Sequence, residues 1–176
     1  MSASVVDTNV ILVANCQHAG ASPECVLAYV ERLNELMKSG VLVIDDGFRI
    51  LLEYQKKTSS RAAKGVGDLF VQWALRHRSQ VQRVHQVALT EHEPNRYAEF
   101  PDPVLEQLFD PSDRMFAAVA HAHPDDPPIW QAADCKWLDW WPALKAGGVA
   151  VEFLCEDDVC RVYAKKFPKK PMPPLP

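Results

Sequence analysis

The sequence predicts an α/β fold: three layers, α/β/α, built on a central and mainly parallel sheet. Three observations carry that reading. Short apolar runs at 4–6, 41–44 and 129–133 alternate with longer segments whose apolar residues recur at helical spacing. Alternation of this kind implies strands joined by crossover helices. The runs are apolar on both faces, as strands of a sheet covered on both sides are, and they end at acids: Asp7, the pair Asp45-Asp46, and Asp134.

The elements follow in chain order. Residues 4–6 form the first strand. Ser22-Pro23-Glu24 opens a helix, with Ser as cap and Pro in the first turn. Its apolar positions are Val26, Leu27, Val30, Leu33, Leu36 and Met37, and Gly40 stops it. A second buried strand covers 41–44, and a helix follows over 49–57 with Glu53 in its body. Another helix is expected from Ser60 to His77, with Val66, Leu69, Phe70 and Trp73 inward. Residues 81–89 are ambiguous and read as a strand, 91–103 as a polar loop, and a short helix runs on through Leu108. Pro111-Ser112-Asp113 opens a helix whose alanines suit close packing on a sheet. Pro127-Pro128 breaks the chain before the strand at 129–133. A helix over 137–145, a last strand over 149–154 and a short helix near 158–165 complete the domain.

At 176 residues, 48% apolar and 24% charged, the composition is that of one ordinary globular domain. No apolar run reaches the roughly 20 residues that span a bilayer. Met1-Ser2-Ala3-Ser4 lacks the basic and apolar regions of a signal peptide. The expected setting is therefore cytoplasmic, with no membrane partner. Cys16, Cys25, Cys135, Cys155 and Cys160 are odd in number and contain no Cys-x-x-Cys pair. Free, mostly buried thiols are expected rather than a disulfide framework or a zinc site. The net charge of −4 argues against a bulk nucleic-acid coater, yet setting four acids aside as metal ligands leaves the remainder neutral.

Four acids occupy comparable places. Asp7 ends the first strand, Glu53 lies in the helix after the second, Asp113 begins a helix, and Asp134 ends a late strand. On one rim of a parallel sheet such positions converge, and ligands bind at that rim. Carboxylates held together repel unless something neutralises them. The natural neutraliser is a hard divalent cation, Mg²⁺ or Mn²⁺. Asn9 can support Asp7, while Asp139 is an extra acid nearby and Asp110 ranks below the four. Lys56, Lys57, Arg61 and Lys64 form a basic cluster after Glu53, suited to phosphate contacts. Arg76, Arg78, Arg83 and Arg96 form a looser second one.

These residues resemble the PIN-domain ribonucleases, most closely the bacterial toxin type. Val6-Asp7-Thr8-Asn9-Val10-Ile11-Leu12 is similar to the family's first acidic motif. Asp113-Arg114-Met115-Phe116-Ala117-Ala118-Val119-Ala120 resembles its third, and Asp134-Cys135-Lys136-Trp137 its last. In that last motif Ala132-Ala133 stand where the family has a Thr, and Trp137 where it has Phe. The resemblance implies one nuclease domain over residues 1–166 with a Lys- and Pro-rich, flexible C-terminal tail over 167–176. It implies that Asp7, Glu53, Asp113 and Asp134 bind Mg²⁺ or Mn²⁺. It also implies cleavage of RNA by an activated water, with an antitoxin or a second copy of the chain as protein partner. The interval 57–108 is expected to carry an added, substrate-specific element.

Other constellations lead elsewhere. Val41–Asp46 resembles the acidic pair of a phospho-receiver, but no Asp occurs between Asp68 and Asp102 to accept the phosphoryl group. A haloacid-dehalogenase-type phosphatase wants an acid where Asn9 stands. His121-x-His123 before Asp125-Asp126 reads as a polar helix end. Two other functions stay open: a non-catalytic PIN-like module that binds RNA or protein, and a structure-specific DNA nuclease.

Overall fold

The computed structural model describes residues 2–59 and 61–176. Five strands form one all-parallel sheet: β1 (Ala3–Val6), β2 (Val41–Asp45), β3 (Val84–Val87), β6 (Ile129–Gln131) and β7 (Val151–Phe153). Their order is β3-β2-β1-β6-β7, so β1 is central. The register pairs Ala3 with Val41 on one side and Val5 with Ile129 on the other. Val5, Val6, Leu42, Val43, Ile44 and Ile129 are all fully buried, which is why these strands carry apolar residues on both faces.

The strand order sets the layers. The chain steps from β1 through β2 to β3 in one direction, then crosses back to β6 and β7 in the other. Right-handed crossovers running in opposite directions place their helices on opposite faces. The first set comprises α1 (Thr8–Ala14), α2 (Pro23–Ser39), α3 (Arg49–Lys57) and α4 (Val66–His77). The second comprises α5 (Pro103–Leu108), α6 (Arg114–Ala122) and α7 (Trp137–Ala146). The fold is thus α/β and compatible with the expected three-layer arrangement. In α6, Phe116, Ala117, Ala118, Val119 and Ala120 are buried, and the small alanines bring the helix close to the sheet. The chain closes with α8 (Glu156–Lys166). No helix among the described residues is long and apolar enough to cross a membrane.

Several expectations need correction. Helix α1 follows the first strand at once, an element missing from the sequence reading: Asp7 caps it by accepting the Asn9 backbone N–H at 2.8 Å. The helix expected from Ser60 begins at Val66, and Ser60 itself lies outside the described residues. The cause is Asp68, whose carboxylate accepts the backbone N–H groups of Ser59 (3.0 Å) and Lys64 (2.8 Å) and so holds the preceding segment as a loop. Leu27 and Leu69 face solvent rather than the core. The polar stretch after β3 contains a short antiparallel hairpin, β4 (Glu91–Glu93) with β5 (Arg96–Tyr97).

The cysteines also differ from expectation. Cys25, in the first turn of α2, and Cys155, just after β7, form a disulfide across a Cα–Cα distance of 5.7 Å. They are 130 residues apart in sequence, so neither parity nor local spacing could reveal the pair. Cys16, Cys135 and Cys160 are free, and of these only Cys135 is buried. Residues 171–176 have no helix or strand, but they do not stand clear of the domain. The Trp141 indole donates to the Pro174 carbonyl at 2.9 Å, and Lys170 pairs with Asp139 at 3.4 Å.

Candidate metal centre

The reversal of strand order between β1 and β6 opens a crevice at their carboxyl ends, the place where open α/β sheets bind ligands. Asp7 sits there, its backbone N–H donating to the Trp130 carbonyl at 3.0 Å. Asp134 follows β6 within three residues. Helix α6 starts beside them at Asp113, and α3 brings Glu53. A cavity of about 220 Å³ at this point is lined by Asp7, Glu53, Asp113 and Asp134 together with Asp110, Thr8, Asn9 and Lys57. The four acids singled out in the sequence therefore come from four separate places in the chain to one cavity.

Each carboxylate is held differently. Asp7 is 1% exposed, and its Oδ1 accepts both the Asn9 backbone N–H at 2.8 Å and the Asn9 side-chain amide at 2.9 Å. Asn9 thus supports Asp7 as expected. Burial pushes Asp7 from its ordinary 3.8 up to about 7; the Asn9 N–H works against that rise and the charge of Asp134 adds to it. The Gln131 amide also lowers it slightly, without making a hydrogen bond of full geometry.

Asp113 stands at the N-cap of α6 yet makes no capping hydrogen bond. The Ser112 hydroxyl donates to Oδ1 at 3.3 Å, while Oδ2 is buried with no partner among the described residues. A carboxylate serving the helix dipole alone would spend its oxygens on the first turn. Burial, followed by the charges of Asp7, Asp134 and Asp110, pushes Asp113 up to about 8. Asp134 accepts the Lys136 backbone N–H at 3.1 Å, which turns its carboxylate inward.

Sequence reasoning underrated Asp110. Oxygens of Asp110, Asp113 and Asp134 lie within 4.8 Å of one another. Asp110-Pro111-Ser112-Asp113 is a turn closed by the Asp113 N–H on the Asp110 carbonyl at 2.9 Å, which sets the first and fourth side chains together. An acid three residues before another, across a proline, was the available signal. Sequence reasoning also passed over Thr8. This residue is 7% exposed and lines the cavity, and its Oγ1 has no hydrogen-bond partner among the described residues.

Asp139 does not line the cavity. It accepts the Tyr163 hydroxyl at 2.7 Å and pairs with Lys170, so its position is structural. The basic cluster divides. Lys57 lines the acidic cavity, Arg61 and Lys64 line a separate pocket of about 550 Å³ with Thr58 and Ser59, and Lys56 is exposed beside them. The looser second set disperses: Arg83 donates to the Lys38 carbonyl and lies over Trp73, and Arg96 pairs with Glu93 and Glu106. Asp45, the acid that suggested a phospho-receiver, is fully buried and accepts the Arg49 and Ile50 N–H groups at 2.9 Å, which fixes the start of α3.

The donor set fits a hard cation. It is all oxygen, it holds more negative charge than its cations offset, and two of its lining residues, Asp113 and Thr8, each carry a buried oxygen with no partner among the described residues. No protein-family model, curated protein or solved structure matches the chain.

Proposed function

We propose that this chain is a metal-dependent nuclease that hydrolyses phosphodiester bonds of RNA at the acidic cavity. One observation carries the reading: acids that follow β1, lie in α3, start α6 and follow β6 line one cavity, and one of them, Asp113, has a buried oxygen with no partner among the described residues. Burying several carboxylates together is costly, and a fold that retains such a group has a use for its charge.

Asp7, Glu53, Asp113 and Asp134 would hold Mg²⁺ or Mn²⁺, which when bound neutralises this charge and supplies Lewis-acid activation of water and of the phosphodiester. The chain's own residues do the rest. Asn9 fixes the Asp7 carboxylate through two hydrogen bonds to one oxygen. Lys57 presents an ammonium at the same cavity, placed to hold a backbone phosphate. The next residues of the chain lead to the pocket of Arg61 and Lys64, which can extend that contact along a strand.

The choice of RNA over DNA, and the role of a toxin held by an antitoxin, rest on the resemblance to PIN-domain ribonucleases. The test is cleavage of labelled single-stranded RNA and DNA with Mn²⁺, by the unmodified chain and by Asp7→Asn. Metal-dependent RNA cleavage lost in the variant is the expected result. Absence of cleavage by the unmodified chain, or equal cleavage by the variant, refutes the enzymatic reading and leaves a binding module. Cleavage of DNA alone moves the substrate class.

A further inference from the structure

We propose that Asp110 is a further carboxylate of this cation site and that Lys136 is its resident counter-ion, displaced when a divalent cation binds. The inference rests on the nuclease reading only for the identity of the cation.

Lys136 lies between β6 and α7 and serves both outer carboxylates at once. Its backbone N–H donates to Asp134 Oδ1 at 3.1 Å, and its ammonium pairs with Asp110 Oδ2. The oxygens of Asp110, Asp113 and Asp134 lie within 4.8 Å of one another, so the ammonium sits at the edge of a group of three acids. An ammonium is a point charge with three donors, and here only Asp110 receives one. Asp113 Oδ2 and Thr8 Oγ1 remain buried and unpartnered among the described residues, on two residues that line the same cavity. A monovalent group tethered to one rim of the cavity leaves those oxygens unserved. A divalent ion takes six or more oxygen ligands and can draw on all of them.

The pair is built to open. The Lys136 side chain is 32% exposed and that of Asp110 43%, so the ammonium has water on one side and a short path to it. Ion pairs with that much solvent contact contribute little and yield to a stronger competitor. Once released, the Asp110 carboxylate is free to turn to the ion beside Asp113 and Asp134.

The test is Mn²⁺ affinity by titration calorimetry on the full chain, for the unmodified protein, Lys136→Met, Asp110→Asn and the double variant. Lys136→Met is expected to bind Mn²⁺ about tenfold tighter and Asp110→Asn about tenfold weaker. The double variant should bind between the two single variants, because the Lys136 ammonium pairs with Asp110 while its charge also acts on Asp134 and Asp113. Lys136→Gln, which keeps a polar side chain, guards against misfolding of the methionine variant and should also tighten binding. Unchanged or weaker affinity in both Lys136 variants, or unchanged affinity in Asp110→Asn, overturns the proposal while the cation reading stands. No Mn²⁺ binding by any form overturns the nuclease reading itself.

Discussion

Replacing Asp7 by Asn should stabilise the metal-free protein at alkaline pH, although Asp7 is among the most buried polar residues of the fold. Asp7 titrates at 3.8 when exposed and at about 7 in place. A carboxyl whose folded value is raised binds more protons folded than unfolded, so stability falls as pH rises. The loss begins near 4, grows through the window between the two values, and is complete above about 7. At 1.36 kcal/mol per pH unit, the charged form costs on the order of 4 kcal/mol. More than half of that, on the order of 2–3 kcal/mol, falls between pH 5 and pH 8. Asn removes the charge but keeps the oxygen that accepts from Asn9. The assay is thermal unfolding in EDTA at both pH values. At about 2–4 °C per kcal/mol for a domain of this size, Asp7→Asn should melt several degrees above the unmodified chain at pH 8 and show a flatter pH dependence. A variant that melts lower at pH 8 would show that the carboxylate is paired by the protein itself and needs no cation.

Other outcomes follow from the same geometry. Mn²⁺ should raise the melting temperature, and more at pH 8 than at pH 6, because protons on Asp7 and Asp113 compete with the ion; a shift independent of pH contradicts this. Asp113→Asn should fold, since the side chain caps nothing, and should weaken Mn²⁺ binding at least tenfold by calorimetry; a large loss of stability in metal-free buffer would make Asp113 structural. Reducing Cys25–Cys155 removes a constraint on a loop of 130 residues and should cost about 3 kcal/mol, on the order of 10 °C in melting temperature. An unchanged melting curve in reductant would show that the pair carries no stability.

The parts of this fold that were legible in sequence are those set by local pattern. Strands buried on both faces wrote themselves as apolar runs, and Ser22-Pro23 announced α2 at the residue where it starts. Asp7, Asp113 and Asp134 were legible because each ends a strand or starts a helix, whereas Glu53, in the body of α3, had the least distinctive surroundings. What stayed hidden depends on contacts made elsewhere in the chain. Helix α1 carries on in unbroken apolar residues through Val10, Ile11 and Val13, all fully buried, so Asp7 marked the end of β1 but no helical period announced α1. The β4–β5 hairpin has an exposed, charged first strand and a second strand of only two residues, Arg96 and the buried Tyr97; its one cue is Asn95, which takes the left-handed conformation at φ 57°. Asp68 unmakes the expected start of α4 by binding backbone groups on its N-terminal side. Asp110 was hidden by the alanine spacing that favours Asp113, and only the turn between them shows that both reach the cavity.

On the proposed function, the acids at the β1–β6 crevice hold a cation for phosphodiester cleavage. Its most direct test is Mn²⁺-dependent cleavage of single-stranded RNA by the unmodified chain and by Asp113→Asn, both shown to be folded. Cleavage by the first, abolished by EDTA, and a loss of at least a hundredfold in the second are expected. Cleavage that survives EDTA, or an Asp113→Asn variant as active as the unmodified chain, would contradict it.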